Sequence, residues 1–241
     1  MKPNIPLHSP SHKPPCLKKQ AGLSLVELMI GMVLGLIIIA AVFNIYSGTN
    51  RSRLFTEGLL AMQENGRYGL SVLQKSFRLA GYSPLRAPDQ EPLSAFDLEN
   101  SSDSSIVVQS RQPYDCNGVL TAPVGGIAIN TYALNSDTQQ LTCQGNAGNT
   151  VMPVVDGVEE FRVLYGIAGD AGARVPQRFV TYDATLQTEN VVALRFAMLV
   201  NSGEPIRSRD ISETFVVLDR EVARSDRLAR EVFSSTVLLR N

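Results

Sequence analysis

Residues 23–43 read LSLVELMIGMVLGLIIIAAVF, and KKQAG precedes them at residues 18–22. From Leu28 to Phe43 no side chain is polar. As one helix, Leu23 to Phe43 is long enough to cross a bilayer core, which takes about 20 apolar residues. Lys18 and Lys19 lie before the run, so by the positive-inside rule they stay cytoplasmic and everything after Phe43 is exported. One residue does not fit. Glu27 puts a carboxylate inside the span, at a cost on the order of 2.5–3.5 kcal/mol at a helix centre and less toward the interface. A secretory signal cut near Tyr46-Ser47-Gly48 leaves that acid unexplained, and so does an ordinary uncleaved anchor.

Outward from this stretch, residues 1–17 (MKPNIPLHSPSHKPPCL) are rich in Pro and Ser and cannot hold a regular helix or a core. The chain has 241 residues, 44% of them hydrophobic, enough for one good-sized domain plus an appendage. Its formal net charge of -1 is uneven. Lys2, Lys13, Lys18 and Lys19 all precede Leu23 without an acid, which leaves 18 basic against 23 acidic side chains in the remainder. That balance, with no Lys/Arg stripe interleaved with aromatics, argues against nucleic-acid binding.

The order basic leader, Gly22, apolar run and Glu27 resembles the class III signal of type IV prepilins. The resemblance implies that a prepilin peptidase cuts on the cytoplasmic side after Gly22, making Leu23 the new first residue and Glu27 the fifth. It also implies N-methylation of Leu23. Many members of that family have Phe where Leu23 stands. Cleavage creates a positive α-amino group four residues from Glu27. In subunits stacked with an axial offset, the amine of one can neutralise the carboxylate of its neighbour, an attraction much larger in a low dielectric than at a surface. Glu27 is therefore read as the charge that sets assembly register.

No proline occurs between Pro15 and Pro84, so a helix starting near Leu23 meets no hard stop for a rod of roughly 85 Å at ~1.5 Å per residue. After Gly48 the pattern becomes amphipathic. Phe55, Leu59, Met62, Gly66, Leu70, Leu73, Phe77 and Ala80 recur at steps of three and four, one face for a core. Gly48, Gly58, Gly66 and Gly69 each lower helix propensity by about 1 kcal/mol, and bending or a melted turn is expected there. Gly81 and Pro84 give the stop.

From Ser105 the signals are strands and turns: SSIVVQS, GGIAINTYAL, QQLTCQ, VEEFRVLYGI, RFVTYDA, VVALRFAMLVNS and TFVVLD. GGIAINTYALNSDTQQLTCQ is the clearest hairpin. Phe161, Val163 and Tyr165 alternate with Arg162 and Leu164, as for a strand with one better-buried face. The expected class is α+β, with an antiparallel sheet, single or split in two, packed on the amphipathic half of the long helix. The divisions expected are a removed leader over 1–22, a helix over 23–82 with its membrane-spanning part at 23–45, and an exported β-rich domain over 83–241. Of three cysteines, Cys16 lies in the leader, and Cys116 and Cys143 remain as an even pair where oxidation is permitted. A disulfide between them is favoured over metal binding, because no His remains after cleavage and two thiols make a poor zinc site. His8 and His12 lie among the leader prolines, where a metal role is not expected.

MQENGRYGLSVLQKSFRLAGY (62–82), YDCNG around Cys116, VDGVEEFRVLYGI (155–167), RFVTYDA from Arg178 and REVFSSTVLLRN from Arg230 together resemble PilW-like minor pilins. A Trp that often precedes the VVALRFAMLV strand in that family is missing; Glu189-Asn190 stand there. The resemblance implies a pilin-like fold and a low-abundance subunit that primes or caps a type IV pilus. It would reside in the bacterial inner membrane, with a periplasmic C-terminal domain, and in the surface fibre. Implied partners are major and minor pilins, the prepilin peptidase, the inner-membrane assembly platform and a tip adhesin. A minor pseudopilin of a type II secretion system shares the leader and Glu27, and a membrane-tethered binding domain is the rival of another class.

No catalytic constellation can be assembled: there is no G-x-G-x-x-G, P-loop or G-x-S-x-G, and the histidines lie in the leader. No cofactor is expected. Asp156, Glu159 and Glu160, and more loosely Glu204, Asp210 and Glu213, read as solvated strand ends, with calcium binding as the alternative. The run DREVARSDRLAR (219–230) reads as a solvated face or a contact to a neighbouring subunit.

Overall fold

The computed structural model describes residues 22, 24–83, 93–170, 173–183 and 185–239. The chain divides after Thr49 into two units, and one helix, α1 (Leu25–Arg78), supplies residues to both. The leader with His8, His12 and Cys16, and also Leu23, lie outside the described residues.

In the first unit, α1 is apolar on every side. The large apolar side chains from Leu25 to Tyr46 are all 51–75% exposed. The few polar groups near its end are satisfied locally, with Asn44 Nδ2 donating to the Ala40 carbonyl at 3.0 Å and Thr49 Oγ1 to Ile45 at 2.9 Å. Such back-bonding removes the cost of a polar side chain without a water partner.

From Asn50 the helix turns amphipathic. Gly58, Met62, Gly66, Gly69, Leu73 and Phe77 are buried at three- and four-residue spacing. α1 runs through all four glycines expected to disturb it without a melted turn, and three of them have another use. A Cβ at Gly66 would collide with the Phe233 ring, one at Gly69 would lie 2.7 Å from Met198 Cε, and one at Gly58 2.7 Å from Ile206 Cγ2. Gly66 and Gly69 let the backbone lie close to the sheets, and Gly58 lets it lie close to Ile206. Phe55, expected on the buried stripe, is instead 43% exposed. The helix ends at Arg78, and a turn follows in which Gly81 takes φ 74° and donates its N–H to Gln109.

Two four-stranded antiparallel sheets and a hairpin follow. The first sheet holds β1 (Ser105–Ser110), β2 (Ala128–Asn135), β3 (Gln140–Gly145) and β4 (Val151–Asp156) in chain order. β2 and β3 form the expected hairpin, with Asn135 opposite Gln140 and Tyr132 opposite Cys143. The second sheet is ordered β10 (Arg230–Leu238), β7 (Val191–Asn201), β5 (Val158–Ala168) and β6 (Pro176–Val180). Among the described residues, β8 (Ile211–Val217) and β9 (Arg220–Asp226) pair only with each other. Gly157, at φ 74°, passes the chain from β4 to β5 and so from one sheet to the other.

α1 packs on both sheets. Phe77 meets Tyr132 of β2 edge-on at 6.1 Å and Phe196 of β7 at 5.0 Å. The strand VEEFRVLYGI has the better-buried face expected, and its other face is partly covered as well. Phe161, Val163 and Tyr165 enter the main core, whereas Arg162, also buried, points to the β8–β9 side. That hairpin lays Val217 and Val222 over Ala197 and Leu199.

Candidate assembly interface and its supporting network

Glu27 lies in the first turn of α1, where the helix dipole favours a negative charge, and it is exposed. Among the described residues no cation is within ion-pair distance of it. Gly22 precedes the helix and is exposed; its partner in the expected cleavage, Leu23, is outside the described residues. Downstream of Glu27, an apolar surface surrounds the whole helix circumference rather than one stripe. Full burial of each Leu, Ile, Val, Met or Phe is worth roughly 1.5–3 kcal/mol, so this segment calls for lipid or other helices around it. An 18-residue window of α1 has a mean hydropathy of 2.7, which suits a membrane span.

Cys116 and Cys143 form a disulfide that joins the β1–β2 connection to β3. The loop around it is fixed by Asp115. One carboxylate oxygen accepts the N–H groups of Asn117 at 3.0 Å and Val119 at 2.9 Å, and the other those of Ala147 at 3.1 Å and Gly148 at 3.0 Å. Burial disfavours the charge on Asp115, but these four donors outweigh it and hold its pKa below the ordinary value. Among the described residues no group of three or more His, Cys, Asp or Glu is placed to hold a metal.

Of the acidic cluster and the charge run, both expected in solvent, Glu159, Glu160 and Arg230 are turned inward, whereas Arg220, Glu221 and Arg227 are exposed as expected. Asp156 is exposed, but the Glu159 side chain is only 2% exposed and that of Glu160 10%. Glu159 accepts from Arg230, from Arg224 Nε at 2.8 Å and from Asn201 Nδ2 at 2.8 Å. Arg230 also reaches Asp226, and Arg162 joins Asp219 at 2.7 Å and Asp103 at 3.1 Å. Residues 220–226 of the charge run form strand β9, whose Arg220, Glu221, Ala223 and Ser225 face solvent while Val222 is buried. No local signal marks these pairings, because the partners of Glu159 lie 65 and 71 residues away.

A helix apolar all round at its start, headed by Gly22 and Glu27 and packed on antiparallel sheets at its end, defines a pilin-like protein with a prepilin-type signal. Residues 17–43 match the prokaryotic N-terminal methylation motif. Residues 127–241, a little under half of the chain, match the family described as Type IV Pilus-assembly protein W. Among solved structures, a type IV-like pilin from Thermus thermophilus is similar at 15% identity and a TM-score of 0.42, covering 73% of this chain and 96% of that one. No curated protein matches the chain. The description of the PilW family sets it in type IV pilus assembly.

Proposed function

We propose that this chain is a minor pilin that primes or caps a type IV pilus through helix–helix packing with other pilins. Prepilin peptidase cuts between Gly22 and Leu23, and the new terminal amine of Leu23 is methylated. Residues 23–45 hold the subunit in the inner membrane with residues 83–241 in the periplasm until the assembly platform draws it into the fibre. Other major and minor pilins and a tip adhesin are the partners in this reading.

The observation that carries the reading is an apolar helix exposed all round with one carboxylate in its first turn. In the bilayer, lipid covers that surface; in a fibre, neighbouring helices replace the lipid, and the cleaved amine of one subunit neutralises Glu27 of the next. The acid is tolerated because it gains a partner only when register is correct. Glu27→Ala should insert and be processed normally yet be missing from sheared filaments on immunoblot; normal incorporation would refute the register role. The PilW match favours a pilus over a type II secretion pseudopilus. Deletion of the chain should then remove surface fibres and leave exoprotein secretion intact, and the opposite result would assign it to secretion.

A further inference from the structure

Four arginines surround one cleft in the unit that begins at Asn50. Arg51 comes from α1, Arg207 and Arg209 from the segment joining β7 to β8, and Arg227 from the turn between β9 and β10. The Arg207 backbone N–H donates to the Arg227 carbonyl at 3.0 Å and ties the two segments together. The cleft is half open, about 780 Å³ in volume, and among the described residues its lining contains no carboxylate. Its lining also has an apolar part, Leu54, Phe55, Ile206 and Ile211, of which Leu54 and Phe55 remain 49% and 43% exposed. Nearby acids engage two of the cations only. Glu213 takes two hydrogen bonds from Arg207, at 2.8 and 3.2 Å, and Asp210 approaches Arg227 no closer than 3.7 Å. Among the described residues no carboxylate is within ion-pair distance of Arg51 or Arg209.

Cations beside apolar side chains suit an amphiphilic anion better than a free one. Arg51 also stands only five residues beyond Tyr46, the last of the exposed apolar run, in the sequence. We infer that this cleft binds the phosphate of an anionic phospholipid in the leaflet where the apolar run leaves the bilayer. Arginine forks match phosphate oxygens bidentately, and the apolar part takes the glycerol and first acyl carbons. The tether keeps lipid at high local concentration, so a weak site is filled before assembly. Its occupancy would end when the subunit leaves the membrane. The inference rests on the membrane-anchored reading above.

The test uses the full chain in nanodiscs of equal phosphatidylglycerol and phosphatidylcholine, released into detergent for native mass spectrometry. The wild type should retain phosphatidylglycerol several-fold over phosphatidylcholine. Arg51→Gln with Arg209→Gln should lose that preference, and Arg174→Gln, outside the cleft, should keep it. Equal retention by the wild type, or an intact preference in the double variant, overturns the inference. So does abolition of the preference by inorganic phosphate at equal concentration, which would mark a site for the free anion. A photo-crosslinker at Ser208 that captures only protein in cells overturns it in favour of an acidic partner. A chain that fails to insert refutes the membrane reading as well, whereas one that inserts without lipid preference removes only this proposal.

Discussion

Arg230 meets Glu159 at 2.9 Å with both side chains closed to solvent, 3% and 2% exposed, although 71 residues separate them in the chain. The contact locks the start of β10 to the start of β5 across β7, and Asp226 and Arg224 attach β9 to the same point.

Removing one member strands the other. Glu159→Met should cost about 3 kcal/mol in urea unfolding, because Arg230 and Arg224 then lose a buried counter-charge. Glu159→Met combined with Arg230→Met should lose less than the two single effects added together. Strict additivity in that cycle would mean the pair is not coupled.

Acid should unfold the sheets through the same network. The hydrogen bond from Arg230 holds Asp226 down at about 2, against an ordinary value of 3.8. Burial opposes ionisation of Glu159, yet its Arg230, Asn201 and Arg224 hydrogen bonds prevail and its pKa is also lowered. Both groups have folded pKa values below their unfolded ones. Their contribution is therefore complete above the unfolded pKa, near 4, and is lost as pH falls through the folded values. Unfolding free energy measured from pH 5 to 2 should drop steeply, and Asp226→Asn should flatten the lower part of that curve.

The disulfide spans 27 residues. In the loop-entropy picture it contributes about 3–4 kcal/mol, so Cys116→Ser with Cys143→Ser should lower the urea midpoint by that equivalent. A reductant should do the same to the wild type and nothing further to the double variant.

Glycine substitutions should divide by their surroundings. Gly66→Val forces a side chain into the Phe233 ring and should destabilise by about 1–3 kcal/mol. Gly48→Ala meets open space and should be neutral or stabilising by up to about 1 kcal/mol, as read from thermal melts of the full chain.

Processing has its own measurement. Intact mass of the membrane-extracted protein should show loss of residues 1–22 and one added methyl. A chain that keeps Met1 while supporting fibres would remove the basis for the Glu27 pairing.

The helix and the β2–β3 hairpin were legible because their signals are local: a proline-free apolar-then-amphipathic pattern, and two β-branched runs around NSDT. β4 was not read as a strand, since Pro153 interrupts it; as the edge of its sheet, β4 can tolerate a residue with no N–H. β9 was hidden by its charges. Arg220, Arg224 and Asp226 read as part of a solvated run, and only the fold brings Glu160, Glu159 and Arg230 alongside them. Phe55 was misplaced because periodicity tells which face a residue occupies but not how far along the helix the sheets extend. Glu27, by contrast, stood out through a conflict between a charge and its neighbours, and such conflicts are visible without a fold.

Phe77, wedged between Tyr132 and Phe196, makes α1 a shared keel for both sheets. Tension applied along that helix is divided between them, and neither sheet can peel off alone without opening the aromatic junction. A subunit built this way should resist pulling as one cooperative block and then yield in a single rip, a signature that optical tweezers would record.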